Sequence, residues 1–125
     1  MVRGIRGATT VKVNEEETIL DATEILVHKM IEANDIKAED VAHVLITVTH
    51  DLDSTFPAKS LRRFKEWTYV PVICSLEIPV PGSLEKCVRI LMTVETERTQ
   101  QEVQHIYLED AVKLRPDLQL TKEQD

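Results

Sequence analysis

The chain of 125 residues has no run approaching the roughly 18 apolar residues of a membrane span. Its start, Met1-Val2-Arg3-Gly4, lacks the apolar core of a signal peptide, so no secretory leader is expected. The glycines form no phosphate-binding loop. No Ser-His-Asp or Cys-His arrangement is signalled. His28, His43, His50 and His105 lack metal-ligand spacing, and the sequential His50-Asp51 with Asp53 is only a faint metal signal. Positive charge is short: a net charge of −7 argues against nucleic acid or an acidic membrane as the main partner. The two cysteines lie in apolar, strand-like segments. They are expected as reduced, buried thiols in a reducing compartment, the cytoplasm.

What is present is a globular composition, 42% hydrophobic and 30% charged. No repeat or linker divides the chain, so residues 1–125 are expected to form one domain with a flexible tail from about residue 116. Val2 to Val11 reads as a strand whose glycines, Gly4 and Gly7, suggest a bulge or a close approach. Asn14 and Glu17 resemble a capping box opening a helix. Ile19, Ala22, Leu26, Met30 and Ala33 are its apolar stripe, and Asn34-Asp35 its end. Nine carboxylates lie between Asn14 and Asp40, as on a solvated helix face. Val41 to Thr49 reads as a buried strand. Ala58 to Glu66 reads as a short helix with Pro57 near its start. Val70 to Val80, Cys87 to Val94 and His105 to Leu108 are further strands, and Glu109 to Leu114 a helical turn. About five strands with one long helix leave sheet surface that this chain cannot cover, and another subunit is expected there.

Some residues do not fit a plain core. Arg89 is the only charge in CVRILMTV, where alternation places Cys87, Arg89, Leu91 and Thr93 on one face. A guanidinium stays charged, so burial demands an anionic partner. That partner is a structural carboxylate or a bound anion, unless the strand lies at an edge and Arg89 reaches water. Glu77 is the only charge in VPVICSLEIPV. It either pairs with Arg89 or accepts a hydrogen bond from a ligand hydroxyl. Cys74 lies three residues before it and shares its site only if the chain bends. Arg6 shares a face with the small residues Gly4 and Ala8, which leaves room for an anion. Tyr107 reads as a core or site tyrosine, and Arg115 as solvated or ligand-facing. Two or three arginines, one carboxylate and one tyrosine, without nucleophile or metal, suit an enzyme that binds a dianion and reshapes it.

RGIRGATTV, FPAK with Arg62 after it, W-x-YVPV, the C-x-x-E of Cys74 and Glu77, KCVRILMTV, H-x-YLE-x-AV and LRPDL-x-LTK together resemble the monofunctional, trimeric α/β chorismate mutases. The match runs from about Arg3 to Lys122. Single pieces such as FPAK carry little; the ordered set is specific. The resemblance implies a mixed α/β fold, a pseudo-α/β-barrel trimer with about five strands, one long helix and short helices per subunit. It implies rearrangement of chorismate to prephenate in clefts between subunits, without metal or cofactor. By the same resemblance, Arg89 would contact the breaking ether oxygen, and Arg6 with Tyr107 the enolpyruvyl carboxylate. Glu77, with Cys74 beside it, would hold the ring hydroxyl. Phe56, Ala58 and Leu114 would form apolar walls, with Lys59, Arg62 and Arg115 near the mouth. Ile73 stands where a well-studied family member has threonine, which removes one polar side chain near the site.

Two other readings share part of this pattern. The trimeric enamine or imine deaminases also hold a carboxylate with an arginine between subunits, but lack the KCVRILMTV and LRPDL set. A non-catalytic binding module for small aromatic acids would keep Arg6 and Arg89 without needing Glu77 against the ring. Turnover of chorismate separates both from a mutase.

Overall fold

In the computed structural model, which describes residues 1–114, five strands form one mixed sheet. They are β1 (Val2–Thr10), β2 (Val41–Val48), β3 (Val72–Leu76), β4 (Cys87–Glu95) and β5 (Ile106–Tyr107). Their spatial order is β3-β2-β4-β1-β5. Strand β4 is antiparallel to both β1 and β2, whereas the outer pairs β2-β3 and β1-β5 are parallel. One α-helix, α1 (Glu16–Asn34), and four 3-10 segments complete the described fold.

Alternation along β4 sorts the sheet into two faces. Val88, Ile90, Met92 and Val94 are buried, and so are Val44, Ile46 and Val48 of β2. Ile19, Leu26, Val27 and Met30 of α1 join them in one core. Each such side chain contributes about 1.5–3 kcal/mol on burial. Gly7 is required by that packing: a Cβ there would lie 2.4 Å from the Met30 sulfur. The close approach expected at this glycine is therefore to the helix.

Helix α1 ends where Asp35 turns left-handed, with φ 51°, and the Ile36 amide donates back to the Ile31 carbonyl at 3.1 Å. These are features of a Schellman-type end. The Asn34 side chain then ties the helix to the chain entering β5, donating to the Gln104 carbonyl (2.8 Å) and accepting from its amide (2.7 Å).

Several local expectations change. Asn14 is not the helix cap. Glu15 occupies that position without a side-chain cap bond. The Asn14 side chain instead binds the Asp53 carboxylate and the amides of Asp53 and Ser54. The segment after Phe56 forms 3-10 turns at Pro57–Arg63 and Lys65–Trp67 rather than one short helix. The expected strand from Val70 to Val80 shrinks to Val72–Leu76, because Pro71, Pro79 and Pro81 supply no N–H to a ladder.

The described residues leave the second face of the sheet bare. Ile73 of β3 is 68% exposed and Leu91 of β4 38%. This is the uncovered surface expected from a single long helix. The tail from about residue 116 lies outside the described residues. No helix among the described residues is long and apolar enough to cross a membrane.

Candidate active site

The charged residues gather on the bare face. Register places Arg89 between Ala8 of β1 and Thr47 of β2, and Arg6 opposite Leu91. Tyr107 pairs with Ala8 at the end of the short parallel strand. Glu77 lies just past the end of β3, where its amide still donates to the Val48 carbonyl at 2.9 Å. A cleft of about 310 Å³ opens among them. Its polar groups belong to Arg6, Thr47, Glu77, Arg89 and Tyr107, with Leu45, Leu91 and Leu114 as apolar walls.

Arg89 presents its guanidinium fork to Glu77, Nε donating at 2.7 Å and Nη2 at 2.6 Å. The Thr47 hydroxyl donates to the same carboxylate. The hydrogen bonds from Arg89 hold the Glu77 carboxyl below its ordinary value, against the opposing effect of partial burial and with help from Thr47. The bond to Glu77 in turn raises the pKa of Arg89. Both groups are therefore charged at neutral pH. Arg6 donates to the Tyr107 hydroxyl from Nη2 (2.8 Å) and Nε (3.3 Å). Its backbone amide donates to Nδ1 of His105 at 3.0 Å. Two cation-centred pairs thus stand on one floor.

Neither cysteine is a nucleophile of this cleft. Burial pushes the Cys87 thiol up to about 11, so it stays protonated. Cys74 pairs in register with Ile46, which is fully buried, and packs against the core. It is only partly buried, a correction to two buried thiols. It does not line the cleft with Glu77, because residues three apart on an extended chain face opposite ways. The loop acids are occupied too. Asp51 accepts from the Thr49 hydroxyl at 2.5 Å and from the Lys86 amide, and no metal-binding cluster occurs among the described residues.

Arg6, Glu77, Arg89, Tyr107 and Leu114 are brought together in one chain. Phe56, Ala58, Lys59 and Arg62 are not. They line a separate hollow beside Trp67, Val70 and Val72. Lys59 is paired there with Glu16 at 3.0 Å. Ile73 pairs in register with Leu45, a wall of the cleft, and so lies on the bare face. Arg115 lies outside the described residues. Thr47, Leu45 and Leu91 carry no sequence signal that marks them as site residues. Their alternation in VAHVLITVT and CVRILMTV was legible, but only the register sets Thr47 opposite Arg89. His105 likewise gains its bond to Arg6 only through the β1-β5 pairing.

Fold and site together define a mixed α/β protein with two arginines, a carboxylate and a phenol arranged around a small anion-sized cleft. The family described as chorismate mutase type I matches residues 2–118, and the chain belongs to that family. It is 52% identical over 122 residues to chorismate mutase AroH of Bacillus subtilis (strain 168), covering 98% of this chain and 96% of that protein. It is 48% identical over 120 residues to chorismate mutase AroH of Thermus thermophilus, covering 95% and 98% respectively. The solved chorismate mutase from Clostridium thermocellum superposes with a TM-score of 0.85 at 42% identity, over 87% of this chain and 96% of that one.

Proposed function

We propose that the chain is a chorismate mutase, an isomerase that rearranges chorismate to prephenate in aromatic amino acid biosynthesis. The observation that carries this reading is the fixed Arg89–Glu77 pair beside Arg6 and Tyr107 in one cleft. Chorismate is a dianion that rearranges alone by a pericyclic route, so the protein need supply no base, nucleophile, metal or cofactor. It must hold the compact conformer in which the reacting carbons meet. It must also stabilise charge that appears only in the transition state.

Arg6, with the Tyr107 hydroxyl, grips the enolpyruvyl carboxylate. Arg89 faces the ether oxygen, where negative charge gathers as the bond breaks. Glu77 holds the ring hydroxyl near the side that turns positive. Groups fixed in advance do this without reorganising. A unit pair at about 4 Å is worth about 4 kcal/mol at an effective dielectric of about 20, and only the part that grows toward the transition state speeds the reaction.

The functional unit is a homotrimer acting in the cytoplasm, with each cleft completed by a neighbour. The bare sheet face and the separate linings of the two hollows support a cleft shared between subunits. Phe56 and Ala58 of one subunit then wall the cleft of the next, Lys59 and Arg62 guide the dianion in, and Arg115 grips a carboxylate at the mouth. Loss of the chorismate diene absorbance with purified protein tests the activity. No turnover would refute it. Sedimentation showing a fully active monomer would refute the shared cleft.

A further inference from the structure

Among the described residues, Thr47 is the one polar side chain of the cleft that sits in the interior of the sheet and carries no charge. Its Cα partners are Ser75 of β3 and Arg89 of β4, so hydrogen-bonded strands hold it on both sides. Glu77, by contrast, lies beyond the end of β3 and is tied to the sheet by its backbone at one bond, to Val48. Its carboxylate is held by Arg89 and by the Thr47 hydroxyl. The two donors are not equivalent. Arg89 meets both oxygens, Nε on Oε2 and Nη2 on Oε1, while Thr47 shares Oε2. A carboxylate has acceptor sites for all of these and for a ligand hydroxyl besides.

From this geometry we infer that Thr47 is a positioning residue, whose hydroxyl anchors the Glu77 carboxylate to the rigid centre of the sheet when Arg89 turns part of its fork toward the bound dianion. The inference rests on the mutase reading of the cleft. Without Thr47, Glu77 would follow Arg89 or swing with the chain after β3, and its charge would no longer be fixed before the reaction. A preset charge works only if its support stays still.

Thr47→Val keeps the β-branched shape that suits an interior strand and removes the hydroxyl. Thr47→Ser keeps the hydroxyl and removes the methyl. With chorismate as substrate, kcat of Thr47→Val is expected to fall about tenfold with KM little changed, as for one lost hydrogen bond to a charged group. Thr47→Ser is expected to recover most of the loss. The second readout needs no substrate: titration of the Glu77 side-chain carboxyl, followed by carbon NMR. Thr47 is one of the groups that lower this pKa, so the midpoint is expected to move up in Thr47→Val and to stay near wild type in Thr47→Ser. Should Thr47→Val fold poorly, Thr47→Ala removes the same hydroxyl and carries the same expectations. An unchanged Glu77 midpoint, or a serine variant as slow as the valine one, would overturn the inference and leave Thr47 a packing residue. Absence of turnover in the wild-type protein would instead refute the mutase reading, with the titration still reporting on Thr47 and Glu77.

Discussion

The two faces of the sheet come from the same strands and differ in what the alternate positions carry. Beneath α1, Val88, Ile90 and Met92 meet Leu26, Val27 and Met30 in a core from which water is excluded. On the bare face, residues one step away along the same strands are Arg89, Leu91 and Thr47, and the charges there bond to one another across the cleft. A pleated strand can thus hold stability on one side and chemistry on the other. Substitutions one residue apart should move different observables.

The largest expected effect is on the bare face. Arg89→Lys should lower kcat about a hundred- to thousandfold, the usual cost of losing a transition-state donor, because lysine keeps the charge and loses the planar fork. KM and Tm should change little. Near-normal kcat would remove Arg89 from the centre of the chemistry. On the core face, Ile46→Val should do the reverse. Ile46 is fully buried beside Thr47, and the lost methylene should cost about 0.5–1.5 kcal/mol in denaturant unfolding, with kcat of the folded enzyme retained. A comparable loss of kcat would show that the two faces are not separable.

Acid titration reads the bare side alone. The folded-state pKa of Glu77 is depressed below the ordinary glutamate value, first by Arg89. The ionised pair therefore contributes stability that is fully present above the unfolded value and is lost as pH falls through the folded one. Glu77→Gln should make unfolding less sensitive to pH in that acid range and leave the slope at neutral pH unchanged. A changed slope only at neutral pH would contradict the assignment. The smallest effect is expected far from both faces, at the Arg63 clamp on α1. Arg63 donates to Asp21 (2.8 Å) and Glu24 (2.7 Å) and lies 3.4 Å from Glu17. Arg63→Ala should lower Tm slightly, less so in high salt, with no change in kcat. An equal loss at all salt concentrations would point to lost packing of the side-chain stem instead.

Much of this was legible in the sequence because a strand alternates strictly. The lone charge in CVRILMTV announced Arg89, and the lone charge in VPVICSLEIPV announced Glu77. What alternation could not supply is which strands are neighbours. Arg89 and Glu77 pair because β2 separates their strands and Glu77 lies past the end of β3, a register fact with no local signature. The place of Cys74 on the core side follows from the period of two, and the resemblance that set it beside Glu77 does not alter it within one chain. Asn14 misled for a different reason. Its side chain suits a helix cap, but the loop at Asp53 and Ser54 offers it three partners instead, and a loop's return path is not written in the helix it approaches. The separation of Phe56 and Arg62 from the charged cleft has no local signature, because sequence order does not say which residues the fold brings together.

The bare face is expected to perform the reaction with fixed charges and to move no proton. Arg89 and Glu77 are already ionised and bonded, so the chemical step should need neither a titrating acid nor a base. The most direct test is the single-turnover rate of bound chorismate in light and heavy water at neutral pH, with and without a chelator. The expected result is the same rate in all four conditions. A rate several-fold slower in heavy water would show proton transfer in the chemical step. A rate abolished by the chelator would show a required metal. Either would contradict electrostatic catalysis by Arg89 and Glu77.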